Sequence, residues 1–247
     1  LAQKVVEAGW ATALLVAPAR TAFLLLAQAA CALIYTIQNA PNPWRSSTAW
    51  WTVYGNLADL GCLYLMLILT RREGTRFRDL IERLDAPVMR TLALGAAYFL
   101  LIMPVFFGGS LLSSLIVYGS WKPHVDAALL GARELPRWAA IYSVAIWWII
   151  WSPTEELFYQ AYLLKRVRTL CGQLWPALLL VGFWWAIQHS ALPFIPDAKY
   201  MAWRFLGFLP GVFALMVVYI RTGRILPLIL AHWPMDLLAS SLTIHWR

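Results

Sequence analysis

Seven apolar runs, at residues 11–38, 48–69, 91–118, 138–164, 175–192, 203–220 and 225–244, leave this chain few folds to choose from. A transmembrane helix needs ~20 predominantly apolar residues, and each run meets or approaches that length. The expected fold class is therefore all-α, a polytopic transmembrane helical bundle of about seven or eight spans. The run at 91–118 is the least regular, because Gly108-Gly109 interrupts it. No fixed-period repeat or long linker divides the chain, so residues 1–247 are expected to form a single integral membrane domain. Pro18, Arg20 and the length of 11–38 argue for an ordinary first span rather than a signal-peptide core.

Composition agrees. Hydrophobic residues make up 61% of the chain and charged residues 13%, about half of what a soluble domain carries. The net charge of +8 sits in short loops between apolar runs, which excludes a nucleic-acid-binding surface and points to the positive-inside rule. Alternate loops collect twelve Lys and Arg residues on the side of Lys4, Arg71, Arg83 and Lys165. The other side, with Lys122, Arg133 and Arg247, collects seven. The expected N-terminus is cytoplasmic, and the expected location is a bacterial inner (cytoplasmic) membrane. The mixed-charge stretch 71–85 reads as a short surface helix. Cys31, Cys62 and Cys171 lack CxxC spacing and form neither a disulfide framework nor a thiolate metal site.

One run is chemically out of place. From Trp138 to Leu164 the only charges are Glu155 and Glu156. If these lay at a membrane surface, only eight apolar residues would remain before Lys165, reaching ~12 Å of a ~30 Å core. They are therefore expected at depth, where an ionised carboxylate costs at least ~2.5–3.5 kcal/mol and faces a polar cavity. Ser152-Pro153-Thr154-Glu155 has the form of a helix start, with Ser as N-cap, Pro in the first turn and Glu closing a capping box. Even in a continuous span, Pro153 frees the Ile149 carbonyl and favours a kink.

Two further runs carry ionisable groups. His189 lies near the end of the fifth, with Trp185 one turn away on the same face. His232 and Asp236, four apart, share a helical face in the seventh. Counted from Lys165, Arg224 and Trp175, the sites Glu155, His232 and His189 lie roughly 15, 12 and 21 Å into the bilayer. His124 and His245 occupy loop or terminal settings and carry no assigned role.

A buried glutamate with two histidines and an aspartate suits hydrolysis. The carboxylate takes a proton from water, and the histidines polarise the carbonyl, stabilise the oxyanion or protonate the leaving amine. The same residues also describe a two-His-one-carboxylate zinc set. Two non-hydrolytic readings stay open: His189 and His232 as axial haem ligands, or a proton path through Glu155. Neither H-E-x-x-H nor G-x-S-x-G is present.

The ordered motifs Glu155-Glu156-Leu157-Phe158-Tyr159-Gln160, Trp185-Ala186-Ile187-Gln188-His189 and His232-Trp233-Pro234-Met235-Asp236 resemble those of the CPBP family. This family comprises CAAX-processing endopeptidases and bacteriocin-processing (Abi) relatives. Its pattern is E-E-x-x-x-R, then F-x-x-x-H, then H-x-x-x-N/D, and the resemblance makes about 138–240 the catalytic core. It implies an intramembrane endopeptidase acting on a membrane-associated protein or peptide precursor, with the lipid bilayer and that substrate as partners. Glu155 would activate water. His189, His232 and Asp236 would position it and stabilise the oxyanion, with Glu156, Gln160 and Trp185 in support. The family has been described both as zinc-dependent and as glutamate-type, and the expectation here is the glutamate type with no cofactor. Gln160 stands where the family has arginine, so Glu156 lacks its usual cation, and the expectation is either that another cation such as Arg204 substitutes or that Glu156 is protonated and hydrogen-bonded to Gln160. Trp185 stands for phenylalanine. The rival reading is a catalytically inactive CPBP-like membrane scaffold or immunity protein.

Overall fold

The computed structural model describes residues 9–81, 87–126, 129 and 135–242. Lys4, Arg83, Arg133, His245, Arg247 and the end of the 71–85 stretch lie outside the described residues.

Helices make up most of the described residues, with no β-strand among them. The elements are α1 (Trp10–Val16), α2 (Ala19–Ile37), α3 (Pro43–Thr48), α4 (Trp51–Arg72), α5 (Val88–Tyr118), α6 (Arg137–Ala145) and α7 (Trp147–Glu155). A π-helical stretch (Glu156–Leu164), α8 (Lys165–Cys171), α9 (Leu174–Ile187), α10 (Ala198–Thr222) and α11 (Ile225–Leu242) follow. Trp10–Ile37, Trp51–Arg72, Val88–Tyr118 and Ala198–Thr222 are long and apolar enough to cross a membrane, and Ile225–Ser241 is a shorter apolar helix. The chain is an integral membrane protein. The expected surface helix at 71–85 is reduced, among the described residues, to the end of α4 and one 3-10 turn at Phe77–Leu80.

Local chemistry sets the helix ends. Asn42 accepts a hydrogen bond from the Arg45 N–H at 3.2 Å with Pro43 in the first turn, and Asp197 caps α10 through the Tyr200 N–H at 2.7 Å. Gly223, at φ +66°, provides the left-handed residue that turns α10 into α11 within two positions.

Gly108-Gly109, which weakened the 91–118 run on paper, does not break α5. A Cβ on Gly109 would come within 2.5 Å of the Gly207 carbonyl oxygen on α10, so the missing side chain lets two helices approach closely. Gly108 has open space around it.

The run at 138–164 departs from its reading as one span kinked at Pro153. The helix breaks earlier, at Ile146 (φ −123°, ψ −40°), between α6 and α7. The break is held by side chains: the Trp148 indole donates to the Val144 carbonyl at 2.5 Å, and Asn56 of α4 donates to the Trp147 carbonyl at 3.2 Å. Thr52 and Ser143 meet at 2.6 Å beside it. Pro153 lies inside α7, and Ser152 is no N-cap. The Ser152 hydroxyl instead bonds the Trp148 carbonyl one turn back and Asp236 across the bundle. A capping box needs free N–H groups at a helix start, and here the helix has already run for two turns.

Candidate active site

The site forms where α2, α4, α7, the π-helical stretch, the end of α9 and α11 meet. Adjacent residues on a helix point about 100° apart, so Glu155 and Glu156 face different neighbours. Glu155 turns toward α2 and α9, and Glu156 toward α11. Both are fully buried. Widened π-helical turns such as the one beginning at Glu156 recur at functional sites.

Three donors bond Glu155, and His232 faces it. Its Oε1 accepts from Arg20 Nη1 at 2.5 Å and from Gln188 Nε2 at 2.6 Å. Its Oε2 accepts from the Trp185 indole at 3.0 Å and faces His232 Nε2 at 3.8 Å. Arg20 extends the network. Its Nε and Nη2 donate to Asp59 Oδ1 at 3.2 and 2.6 Å, its Nη1 also reaches Gln188 Oε1 at 2.7 Å, and its guanidinium lies over the Trp151 ring. Tyr159 donates to Gln188 Oε1 at 3.0 Å and stacks on Trp185. An isolated charge at this depth would be prohibitively expensive, and mutual pairing with hydrogen bonds is what makes the cluster tolerable.

Glu156 has a separate set of partners. Its Oε1 lies 2.9 Å from His232 Nδ1, and its Oε2 accepts from Gln160 Nε2. The substituted position therefore compensates by a hydrogen bond and not through Arg204. That arginine is occupied elsewhere, donating to the carbonyls of His189 and Leu192, each at 3.0 Å. His232 Nε2 also faces Asp236 Oδ2 at 3.7 Å, and Asp236 accepts from Ser152 at 2.6 Å.

His189 sits in the 3-10 turn Gln188–Ser190 that ends α9, so the fifth run stops being α-helix two residues before it. Its ring stacks on Phe208 of α10 at 3.7 Å between centroids, and Arg204 fixes its backbone. His189 and His232 each keep 6% of their surface exposed, whereas the two glutamates keep none. His124, which had no assigned role, stacks on Tyr118 against Trp203, away from these groups.

The predicted residues Glu155, Glu156, Gln160, Trp185, His232 and Asp236 thus converge in one network, and His189 stands at its edge. Sequence reading missed Arg20 and Asp59, and Ser152 as a partner of Asp236. The depth of Arg20 in the first run was a visible signal for it, and so was Asp59, an acid inside the apolar run 48–69.

Two cavities lie away from this network. One of about 650 Å³ runs along α2 and α4 past Phe23, Cys31, Tyr54 and Gly61. The other, of about 200 Å³, lies between Lys165, Arg168 and Tyr219.

No curated protein and no solved structure matches the chain. Residues 136–238 match the family model described as Rce1-like, type II CAAX prenyl endopeptidase Rce1-like, and this segment carries Glu155, His189, His232 and Asp236.

Proposed function

We propose that the chain is an intramembrane endopeptidase that hydrolyses a peptide bond near the end of a membrane-associated protein or peptide, with Glu155 as the base. The observation that carries this reading is the approach of Glu155 Oε2 and Asp236 Oδ2 to the same nitrogen, His232 Nε2, at 3.8 and 3.7 Å, inside the family-matched segment. These separations are too long for direct hydrogen bonds and suit a shared water beside the three atoms. Glu155 takes a proton from that water, and the oxygen attacks the scissile carbonyl. The resulting oxyanion is stabilised by His232 and His189, and the proton passes to the leaving amine. Asp236, braced by Ser152, orients His232. Water and substrate enter past the two histidines, whose partial exposure supports that route.

The glutamate mechanism is favoured over a zinc-bound one. Oε1 of Glu155 already bears a guanidinium, and a dication on the same carboxylate would sit beside that like charge.

The wider assignment is one integral membrane domain over 1–247 with its catalytic core at 138–240, seven or eight spans, a cytoplasmic N-terminus and a location in a bacterial inner membrane. The broken 138–164 run and the short α9 count as spans in this reading. The substrate class implied by the family is a prenylated CAAX tail.

A second reading draws support from the crowding of Glu155. A carboxylate that already accepts three hydrogen bonds also suits a catalytically silent scaffold or immunity protein. Replacing the chromosomal copy with Glu155→Gln and comparing membrane-protein termini by mass spectrometry separates the two. A protease leaves uncleaved precursors in the variant, whereas identical termini in both strains favour the scaffold.

A further inference from the structure

The family match begins at residue 136, yet the only permanent cation bonded to Glu155 among the described residues comes from α2, over a hundred residues earlier. Arg20 is fully buried, and all three of its guanidinium nitrogens are engaged. The fork edge made of Nε and Nη2 is taken by Asp59 of α4, leaving Nη1 for Glu155 and Gln188.

We propose that Arg20, oriented by Asp59, is a positioning residue for Glu155: it anchors Oε1 and leaves Oε2 turned toward His232. The proposal rests on the reading of Glu155 as the base. An arginine meeting a carboxylate by itself tends to grip both oxygens through two parallel N–H bonds. That grip would occupy Oε2 as well. Here Asp59 takes the Nε–Nη2 edge and Gln188 one of the two Nη1 N–H groups, and Glu155 is met through Nη1 at Oε1 alone. Gln188 reinforces the selection, since its amide nitrogen donates to Oε1, the same oxygen that Arg20 holds, while its amide oxygen accepts from both Arg20 and Tyr159. Because Gln188 is bonded in sequence to His189, the same guanidinium also steadies the turn that carries the histidine.

A purely structural ion pair would be complete with Arg20 and Asp59 alone. The third nitrogen, aimed at the carboxylate proposed as the base, is the feature such a pair does not require. Arg20 also supplies the permanent positive charge that Gln160 withholds, though to Glu155 instead of Glu156. Two helices outside the matched segment thereby become part of the working site.

The test uses full-length protein in lipid nanodiscs and a fluorogenic farnesylated CAAX peptide, comparing wild type, Arg20→Gln, Arg20→Lys and Glu155→Gln. Arg20→Gln is expected to lower kcat by about 10²-fold with KM unchanged, the signature of lost positioning. Arg20→Lys, which keeps the charge and loses the fork, is expected to recover part of that loss. If Arg20→Gln fails to fold, Arg20→Lys carries the test, and a kcat equal to wild type overturns the proposal. A second readout needs no turnover. Dicyclohexylcarbodiimide reacts with the carboxylic acid form of buried acids, and labelling is mapped by mass spectrometry. Glu155 is expected to be protected in wild type, labelled in Arg20→Gln and protected again in Arg20→Lys, with equal thermal melts confirming the fold. Equal labelling of Glu155 in all three overturns the positioning role whether or not the peptide is cleaved. Failure of wild type to cleave, with this labelling pattern intact, counts against the protease reading and leaves the Arg20 contact standing.

Discussion

At the scale of single residues, the substitution at position 160 reorganises the acids around it. Where the family places an arginine, Gln160 gives Glu156 one hydrogen bond and His232 gives it another. His232 therefore links both glutamates, through Nδ1 to Glu156 and across a 3.8 Å gap from Nε2 to Glu155. His232→Ala should consequently lower cleavage by about 10²-fold or more, because it removes an oxyanion donor and unseats Glu156 together. Tyr159→Phe is milder. It deletes one hydrogen bond to Gln188 and keeps the stack on Trp185, so it should cost about 0.5–1.5 kcal/mol in thermal melts. The motifs themselves were legible in the sequence because each lies within six residues or fewer of continuous chain. Arg20 was not legible as a partner, because its contacts to Asp59 and Glu155 span 39 and 135 residues, and only the fold closes those distances.

At the scale of elements, periodicity and apolar length located the helices, and local chemistry then misled about where one of them bends. Ser152-Pro153 carries a strong start signal, yet the break falls at Ile146, where nothing in the sequence marks it. The reason is tertiary. The Trp148 indole takes the Val144 carbonyl at the end of α6 and Asn56 of α4 holds the Trp147 carbonyl at the start of α7, so the bend sits where those donors are available. The opposite error occurred in α5, where a glycine pair suggested interruption and instead serves close packing. Gly109→Ala should destabilise the protein by about 1–3 kcal/mol, since its Cβ would collide with the Gly207 backbone and neither helix can yield locally. Gly108→Ala, one residue away in open space, should leave the melting temperature unchanged. Parallel thermal melts in one detergent check the pair.

At the scale of the whole molecule, the N-terminal helices are more than a membrane anchor. α2 and α4 deliver Arg20 and Asp59 to the carboxylate on α7, which joins the unmatched N-terminal part of the chain to the family segment. In the proposed topology, which rests on the asymmetry of basic loops, Arg72 is cytoplasmic and Lys122 lies on the far side. In a background with Cys31, Cys62 and Cys171 replaced, Lys122→Cys should react with an impermeant maleimide in intact cells, and Arg72→Cys only in inverted vesicles. The reverse pattern would invert the topology. The all-helical class was readable from the apolar runs. The packing that turns separated acids and bases into one network was not, because hydropathy reports depth and carries no information on which helices touch.

The most direct measurement is the single-turnover rate of cleavage of a farnesylated CAAX peptide by the full-length protein in nanodiscs, wild type against Glu155→Gln, each with and without a zinc chelator. With Glu155 as the base, the variant should be slower by at least about 10²-fold, and the chelator should leave the wild-type rate unchanged. Cleavage by Glu155→Gln at the wild-type rate would contradict the account.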